Sequence, residues 1–131
     1  MTIVRRFQEL GLPADQCVVI GSGILDALGL RESDDIDLVV SSDVFATLQA
    51  DGSWTAKEKH NDIVLLKDDA EVWQDWGADE EASFLSLYEN SVIIDGVHFV
   101  NPQFLLAWKK QQSREKDVKD IQLLEEYLRR G

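Results

Sequence analysis

The spacing of apolar residues along the chain predicts a mixture of helices and strands. Apolar residues three and four positions apart indicate helices over residues 3–11, 24–30, 42–50 and 82–88. Another helix begins at Pro102, and a final helix has an apolar stripe of Val118, Ile121, Leu124 and Leu128. Short apolar runs indicate strands over residues 17–20, 35–40, 63–66, 70–73, 92–94 and 97–100.

The order of these elements predicts an α/β (α+β) fold with a mixed β-sheet flanked by helices. Asp95-Gly96 favours a type I′ hairpin turn between the last two strands. The helix between strands 17–20 and 35–40 is short for a parallel crossover, so antiparallel or mixed pairing of these strands is the alternative. The chain length suits a single domain over residues 1–131, with a core over about 15–100 and C-terminal helices over about 101–131.

The candidate chemistry concentrates between residues 18 and 40. An apolar strand ends in Gly21-Ser22-Gly23, and a second strand opens with Asp35 and Asp37. Because side chains alternate along a strand, the two carboxylates share a face. Such a pair beside a glycine-bounded turn suits a divalent metal that carries a phosphate chain. The alternative is a solvent-facing acidic strand end beside an ordinary turn, since acid-x-acid spacing also occurs at 32/34, 69/71, 79/81 and 115/117.

Two segments resemble motifs of a known superfamily. Gly21-Ser22, twelve further residues and Asp35-Ile36-Asp37-Leu38 resemble the signature of nucleotidyltransferases with a DNA polymerase β-like core. Lys109, then Arg114-Glu115-Lys116-Asp117, then Asp120 resembles the helical K…R-x-K-D…D segment of small bacterial nucleotidyltransferase-like proteins. The resemblance implies a nucleotidyltransferase-type mixed sheet with a C-terminal helical pair.

The resemblance also implies a reaction and a cofactor. Nucleotidyl transfer from a nucleoside triphosphate uses two Mg²⁺ (or Mn²⁺) ions, which activate the nucleophile and hold the triphosphate. Asp35 and Asp37 would be catalytic residues and metal ligands, and Gly21 and Ser22 would hold the phosphates.

The third carboxylate of the family's catalytic set is assigned to Glu71. Strand-forming residues flank Glu71, as they do the third acid of the family. Asp62 and Asp75 compete for this role. The alternative is that Glu71 is only the outward residue of an amphipathic strand.

The C-terminal segment holds a cluster of cations, Lys109, Arg114 and Lys116. The resemblance implies that they bind the nucleotide's phosphates, for which Lys and Arg are suitable ligands. The alternative is a solvated helix face in which Lys116 pairs with Asp120. Trp73, Trp76 and Trp108 are interpreted as packing in the core or at its rim, with stacking on a base as the alternative.

Composition narrows the compartment and the partners. The chain has 13 basic and 25 acidic residues and a net charge of −12, which argues against a broad nucleic-acid-binding surface. Cys17 is the one cysteine, which excludes an intrachain disulfide and predicts a small buried apolar residue. No membrane-spanning run or secretion signal is visible, so a cytoplasmic location is expected.

Two function classes follow. The first is a metal-dependent nucleotidyltransferase that modifies a hydroxyl of a small molecule or a protein with a nucleoside monophosphate from a triphosphate such as ATP. The second is a weakly active or inactive binding module of the same fold, such as an antitoxin-like partner of a toxin. The acidic surface would suit a basic protein partner.

Overall fold

The computed structural model describes residues 2–59, 61–76 and 82–130 of the 131-residue chain. Within these residues, seven strands form one sheet: β1 (Cys17–Ile20), β2 (Ile36–Val40), β3 (Thr55–Lys59), β4 (Asp62–Lys67), β5 (Ala70–Trp73), β6 (Val92–Ile94) and β7 (Val97–Phe99). The helices are α1 (Ile3–Leu10), α2 (Gly23–Ala27), α3 (Ser42–Ala50), α4 (Phe84–Glu89), α5 (Pro102–Gln112) and α6 (Val118–Arg130).

The sheet is mixed, as the sequence predicts, with the strand order β3-β4-β5-β2-β1-β7-β6. β1 runs antiparallel to β2, from the pair Cys17–Val40 to the pair Ile20–Asp37. The five-residue α2 is too short for a parallel crossover, and the antiparallel alternative is confirmed. β2 runs parallel to β5, and β1 runs parallel to β7.

The core lies around the two central strands. All four residues of β1 are buried, and Leu38 and Val39 of β2 are fully inaccessible to solvent. α5 and α6 each add one completely buried leucine, Leu105 and Leu124. Cys17 belongs to this core, and burial raises the pKa of its thiol to about 12, with a smaller contribution from the charge of Asp15. The prediction that Cys17 is a small buried residue is confirmed.

The predicted turns and caps are mostly confirmed. Asp95 and Gly96 both have positive φ angles, 50° and 79°, as a type I′ turn requires. α5 begins at Pro102 after the cap Asn101, whose side chain accepts from the N–H of Gln103. α2 ends at Ala27, three residues earlier than predicted, because Gly29 adopts a left-handed conformation with φ 73°.

Two predictions for the sequence pattern were wrong. The sequence pattern predicted no strand at Thr55–Lys59, where the structure has the edge strand β3. Almost all of its side chains are exposed, and the strand is stabilised by its pairing with β4. Val118 was placed on the apolar stripe of the last helix but is 51 % exposed, while Leu124 of the same stripe is fully buried. The predicted loop 76–81 lies outside the described residues except for Trp76.

The close packing of α2 on β1 predicts that Gly23→Ala destabilises the fold. A Cβ at Gly23 would lie 2.5 Å from Cγ1 of Val19 and 3.4 Å from Cγ1 of Ile3, so the core must shift. We expect the free energy of unfolding in urea to fall by about 1–3 kcal/mol. Gly52→Ala is the matched control, since nothing lies within 4 Å of its added Cβ, and should change stability by less than about 1 kcal/mol. Equal effects of the two substitutions would contradict the packing explanation.

Candidate functional site

The pairing of β1, β2 and β5 brings three chain segments with predicted site residues together at one end of these central strands. Because β1 runs antiparallel to β2, the end of β1 at Ile20 pairs with Asp37 near the start of β2. β5 runs parallel to β2, and Glu71 is the register partner of Asp37. Asp37 and Glu71 therefore lie together beside the turn that follows β1, and Asp35, directly before β2, is close enough for its charge to act on Asp37.

Gly21 allows the Asp37 carboxylate to lie against this turn. Gly21 has a φ of 65°, in the left-handed region where side chains are strained. A Cβ at this position would lie 3.3 Å from Oδ2 of Asp37. The glycine is therefore needed both for the backbone conformation and for the approach of the carboxylate.

The surroundings of Asp37 favour its protonated form. Burial raises the pKa of Asp37 to about 7, and the nearby charges of Asp35 and Glu71 add to the effect. Lys59 and Lys116 lower the pKa but do not cancel this rise. The site thus carries negative charge that the protein itself only partly neutralises.

Among the three candidates for the third carboxylate, Glu71 is the one that is paired with Asp37 in the sheet. It is the cross-strand neighbour of Asp37, and its Oε1 accepts a hydrogen bond from Nζ of Lys59 at 2.9 Å. Asp62 and Asp75 are exposed and line the same cleft. Register alone favours Glu71, although its carboxylate already has a lysine partner.

A second group of charged residues, which includes cations, lines the same cleft. Asp120, at the start of α6, accepts from Nε and Nη2 of Arg31 at 2.6 and 2.9 Å and from Oγ of Ser22 at 3.0 Å. Nζ of Lys109 lies 3.2 Å from the same carboxylate. Burial raises the pKa of Asp120, but the hydrogen bond from Arg31 and the charge of Lys109 bring it below its usual value.

The ion pairs continue from Lys109 to the turn before α6. Nζ of Lys109 donates to Asp117 at 2.7 Å, and Nε of Arg114 donates to the other oxygen of Asp117 at 2.6 Å. Lys109, Asp117 and Asp120 are all at least 95 % buried. Burial would raise the pKa of Asp117, but these two hydrogen bonds keep it below its usual value. We call Arg31, Lys109, Arg114, Asp117 and Asp120 the ion-pair network.

The two groups face one cleft of about 1460 Å³. All eight residues predicted from the sequence for the site line it: Gly21, Ser22, Asp35, Asp37, Glu71, Lys109, Arg114 and Lys116. Aromatic side chains form part of its wall, where Trp76 and Trp108 stack with ring centroids 4.5 Å apart and Phe104 lies 5.9 Å from Trp76. The guanidinium of Arg114 lies 5.0 Å from the ring centroid of Trp108. Trp76 and Trp108 thus pack at the rim of the core, as predicted, and this part of the rim is a wall of the cleft.

The structure revises two interpretations of the C-terminal charged residues: phosphate binding by Lys109 and the alternative pairing of Lys116 with Asp120. The Lys109 amine is engaged by two buried carboxylates, so it has little capacity left for a ligand. Asp120 pairs with Arg31 and Lys109 rather than with Lys116, its helical neighbour. Lys116 is exposed at the cleft, and its charge acts on Asp37.

Sequence reasoning missed the roles of Arg31 and Lys59. Arg31 lies in the loop after α2 and meets Asp120 across 89 residues, which no local pattern indicates. Lys59 belongs to the edge strand that the sequence did not predict. The spacing of Asp117 and Asp120 was visible in the K…R-x-K-D…D motif, but their roles as buried partners were not.

The described side chains around Asp37 do not form a complete set of metal ligands. Among residues 2–59, 61–76 and 82–130, no three His, Cys, Asp or Glu side chains form a ready-made metal cage. A site with one or two carboxylates suits Mg²⁺, which commonly takes its other ligands from water and substrate phosphates.

Comparison with solved structures identifies the fold. The chain is similar to the aminoglycoside nucleotidyltransferase ANT(2″)-Ia, whose crystal structure was solved in complex with adenylyl-2″-tobramycin. The TM-score is 0.59 at 19 % identity, and the match covers 97 % of this chain and 86 % of that one. This likeness shows a nucleotidyltransferase-like fold. No family model matches the chain, and no curated protein matches it in sequence.

In the described part of the chain, none of the helices has both the length and the apolar character needed to span a bilayer.

The raised pKa of Asp37 predicts a pH-dependent stability of the metal-free protein. Between about pH 4 and 7 the folded protein keeps a proton that the unfolded chain has released, so its free energy of unfolding falls as the pH rises. We expect this fall to be on the order of 2–4 kcal/mol and to disappear in Asp37→Asn, which is then more stable than the wild type at pH 8. Urea titrations across this range in a chelating buffer measure it.

Asp62→Asn is the control for this prediction, because it removes an exposed carboxylate from the same cleft. Its pH dependence should match that of the wild type. If Asp37→Asn keeps the same pH dependence as the wild type, the proposed burial of charge at Asp37 is wrong.

Proposed function

We propose that the chain is a metal-dependent nucleotidyltransferase that transfers a nucleoside monophosphate from a nucleoside triphosphate to a hydroxyl group. The placement of Asp37 carries the proposal: its carboxylate lies against the Gly21 turn, near the charges of Asp35 and Glu71, in a cleft that cations also line. The similar fold of an aminoglycoside nucleotidyltransferase supports this class of reaction.

The residues at Asp37 fit a divalent cation. Asp35 and Asp37 would hold Mg²⁺ or Mn²⁺, with Glu71 as the third carboxylate, because oxygen ligands suit these ions and the negative charge here is only partly neutralised. When bound, the metal neutralises phosphate charge and polarises the reacting oxygens. A cation would also favour the ionised form of Asp37.

The residues of the chain position the reactants. The acceptor hydroxyl oxygen forms a bond to the α-phosphorus, the bond from that phosphorus to the bridging oxygen breaks, and pyrophosphate leaves with the bond's electrons. We propose that a carboxylate of the site, Glu71 or Asp35, receives the proton of the acceptor hydroxyl. Holding the two reactants together in the cleft supplies much of the rate enhancement.

The cations that line the cleft support triphosphate binding in a chain of net charge −12. The ion-pair network contains three cations and two carboxylates, and Lys116 adds another positive charge. Since Lys109 is buried between carboxylates, we propose that Arg114 and Lys116 contact the phosphates while Lys109 holds the wall together.

The aromatic wall gives the nucleotide a second contact. The base would stack near Trp76 and Trp108, whose rings line the cleft beside Arg114. Stacking tolerates any base, because every base presents a π face. The acceptor would enter the remaining space, and the structural neighbour, solved in complex with adenylyl-2″-tobramycin, supports a small molecule as one class of acceptor.

The first test of the function is Asp37→Asn. Because Asp37 is the central carboxylate, this variant should lose at least about tenfold in magnesium-dependent affinity for ATP or the other nucleoside triphosphates. Calorimetry measures binding, and mass spectrometry of candidate acceptors measures transfer. Asp51→Asn, a remote exposed substitution, is the control. Equal binding by wild type and Asp37→Asn would rule out this metal site.

The same experiment separates the enzyme from a binding module. Magnesium-dependent binding without transfer to any acceptor would favour the alternative, an antitoxin-like or otherwise catalytically inactive partner. Transfer to a protein acceptor would combine the two classes.

Arg114→Ala tests the cationic wall. The exposed part of the guanidinium faces the cleft, so its removal should weaken triphosphate binding about three- to tenfold at low salt. The loss should shrink as salt rises, because screening weakens the contact. Arg129→Ala removes an exposed arginine at the end of α6 and should leave binding unchanged. Identical affinities of Arg114→Ala and wild type at low salt would contradict a phosphate contact.

A further inference from the structure

One hydrogen bond joins the glycine turn to the last helix of the chain. Oγ of Ser22 donates to Oδ2 of Asp120 at 3.0 Å, across 98 residues of sequence. A serine hydroxyl has one proton, so it cannot donate to Asp120 and to a phosphate oxygen at the same time. The bond therefore bears directly on how the turn would bind phosphate.

Ser22 differs from the residues that precede α1, α3, α4 and α5. Thr2, Ser41, Ser83 and Asn101 each accept a hydrogen bond from a backbone N–H of the helix that follows. Ser22 makes no such cap, and α2 has only five residues. The side chain of Ser22 is thus not used for a local cap but for the tertiary bond to Asp120.

Asp120 is rigidly held at its end of the bond. Arg31 binds both of its oxygens, Lys109 lies 3.2 Å from Oδ2, and the residue is only 5 % exposed. A bidentate arginine pair fixes the plane of a carboxylate as well as its distance. Asp120 can therefore serve as a fixed point for the Ser22 turn.

We propose that Asp120 is a positioning residue for phosphate binding, and that it acts through the Ser22 hydroxyl. The hydroxyl holds the turn in its binding conformation, while the turn backbone, Arg114 and Lys116 contact the phosphates. The ion-pair network thereby couples the C-terminal helices to the turn beside Asp37. This inference rests on the proposed nucleotidyltransferase function and replaces the direct phosphate contact that the sequence predicts for Ser22.

A double-mutant cycle tests the proposal. Ser22→Ala, Asp120→Asn and the combined variant are titrated by calorimetry with magnesium tripolyphosphate, a probe without a base, and then with magnesium ATP. Ser22→Ala should weaken binding about three- to tenfold, as expected for one lost hydrogen bond. Ser22→Ala removes the donor of this bond, and Asp120→Asn replaces its charged acceptor by a weaker amide oxygen. Because both substitutions act on the same bond, the double variant should bind no more weakly than the weaker single variant.

A direct phosphate contact by Ser22 gives a different result. The two losses would then multiply, and multiplication overturns the proposal. Unchanged binding by Ser22→Ala overturns it as well. If Asp120→Asn does not fold, Asp120→Glu takes its place in the cycle, because it keeps the charge beside Arg31 and Lys109 but displaces the acceptor oxygen.

Ser41→Ala separates positioning from general stability. Oγ of Ser41 also donates to a side chain distant in sequence, Oε1 of Gln16 at 2.8 Å, and it caps α3 away from the cleft. It should lower the melting temperature without weakening tripolyphosphate binding. Equal losses of binding in Ser41→Ala and Ser22→Ala would reduce the Ser22 effect to stability and overturn the proposal.

The two levels of inference fail in different ways. If the wild type binds neither tripolyphosphate nor ATP with magnesium, the proposed function is wrong and the positioning role falls with it. If the wild type binds and the losses multiply, the function stands and only the role of Asp120 is wrong.

Discussion

The site depends on the burial of two carboxylates with their cationic partners. Removing Asp117 and Asp120 from water is costly, and the cost is recovered only where good geometry and hydrogen bonds satisfy the charges. Both carboxylates meet this condition: Asp120 has a bidentate arginine and Asp117 has two donors at 2.7 Å or less. No side-chain donor or acceptor that is buried in the described residues lacks a partner. Loss of one member would leave an unpaired buried charge, so the network acts as a unit.

This network explains why the C-terminal helices lie where they do. Leu105 and Leu124 supply apolar contact with the core, but apolar contact has little directional preference. The ion pairs from Lys109 to Asp117 and from Arg31 to Asp120 add direction, since each requires a particular register of α5 and α6 against the loop after α2. Packing thus supplies stability, and the buried charges select one arrangement.

The cleft contains an acidic group and a group rich in cations, which the net charge of the chain does not reveal. In the acidic group Asp37 lies with Asp35 and Glu71, and burial and like charge raise its pKa to about 7. The ion-pair network, which lines the same cleft, contains more cations than carboxylates. A metal–nucleotide complex has the complementary pattern, with a cation held among phosphates. The proposed function therefore rests on this local arrangement rather than on the net charge.

The sequence by itself determined the order and type of most elements and identified eight of the residues that line the cleft. Strand alternation predicts a shared face for Asp35 and Asp37, although β2 begins only at Ile36. The Gly-Ser turn and the spaced cations are visible in the chain, because these signals are local. The edge strand β3 escaped prediction since its exposed residues carry no apolar pattern.

Only the tertiary structure decided how these residues divide their work. Antiparallel pairing of β1 with β2 and the register of β5 bring Glu71 beside Asp37, and Arg31 reaches Asp120 across 89 residues. Lys109, visible in the sequence as a phosphate-binding cation, is committed to two carboxylates by its burial. Burial and long-range pairing set the charge and the partners of a side chain, and neither is encoded in local spacing.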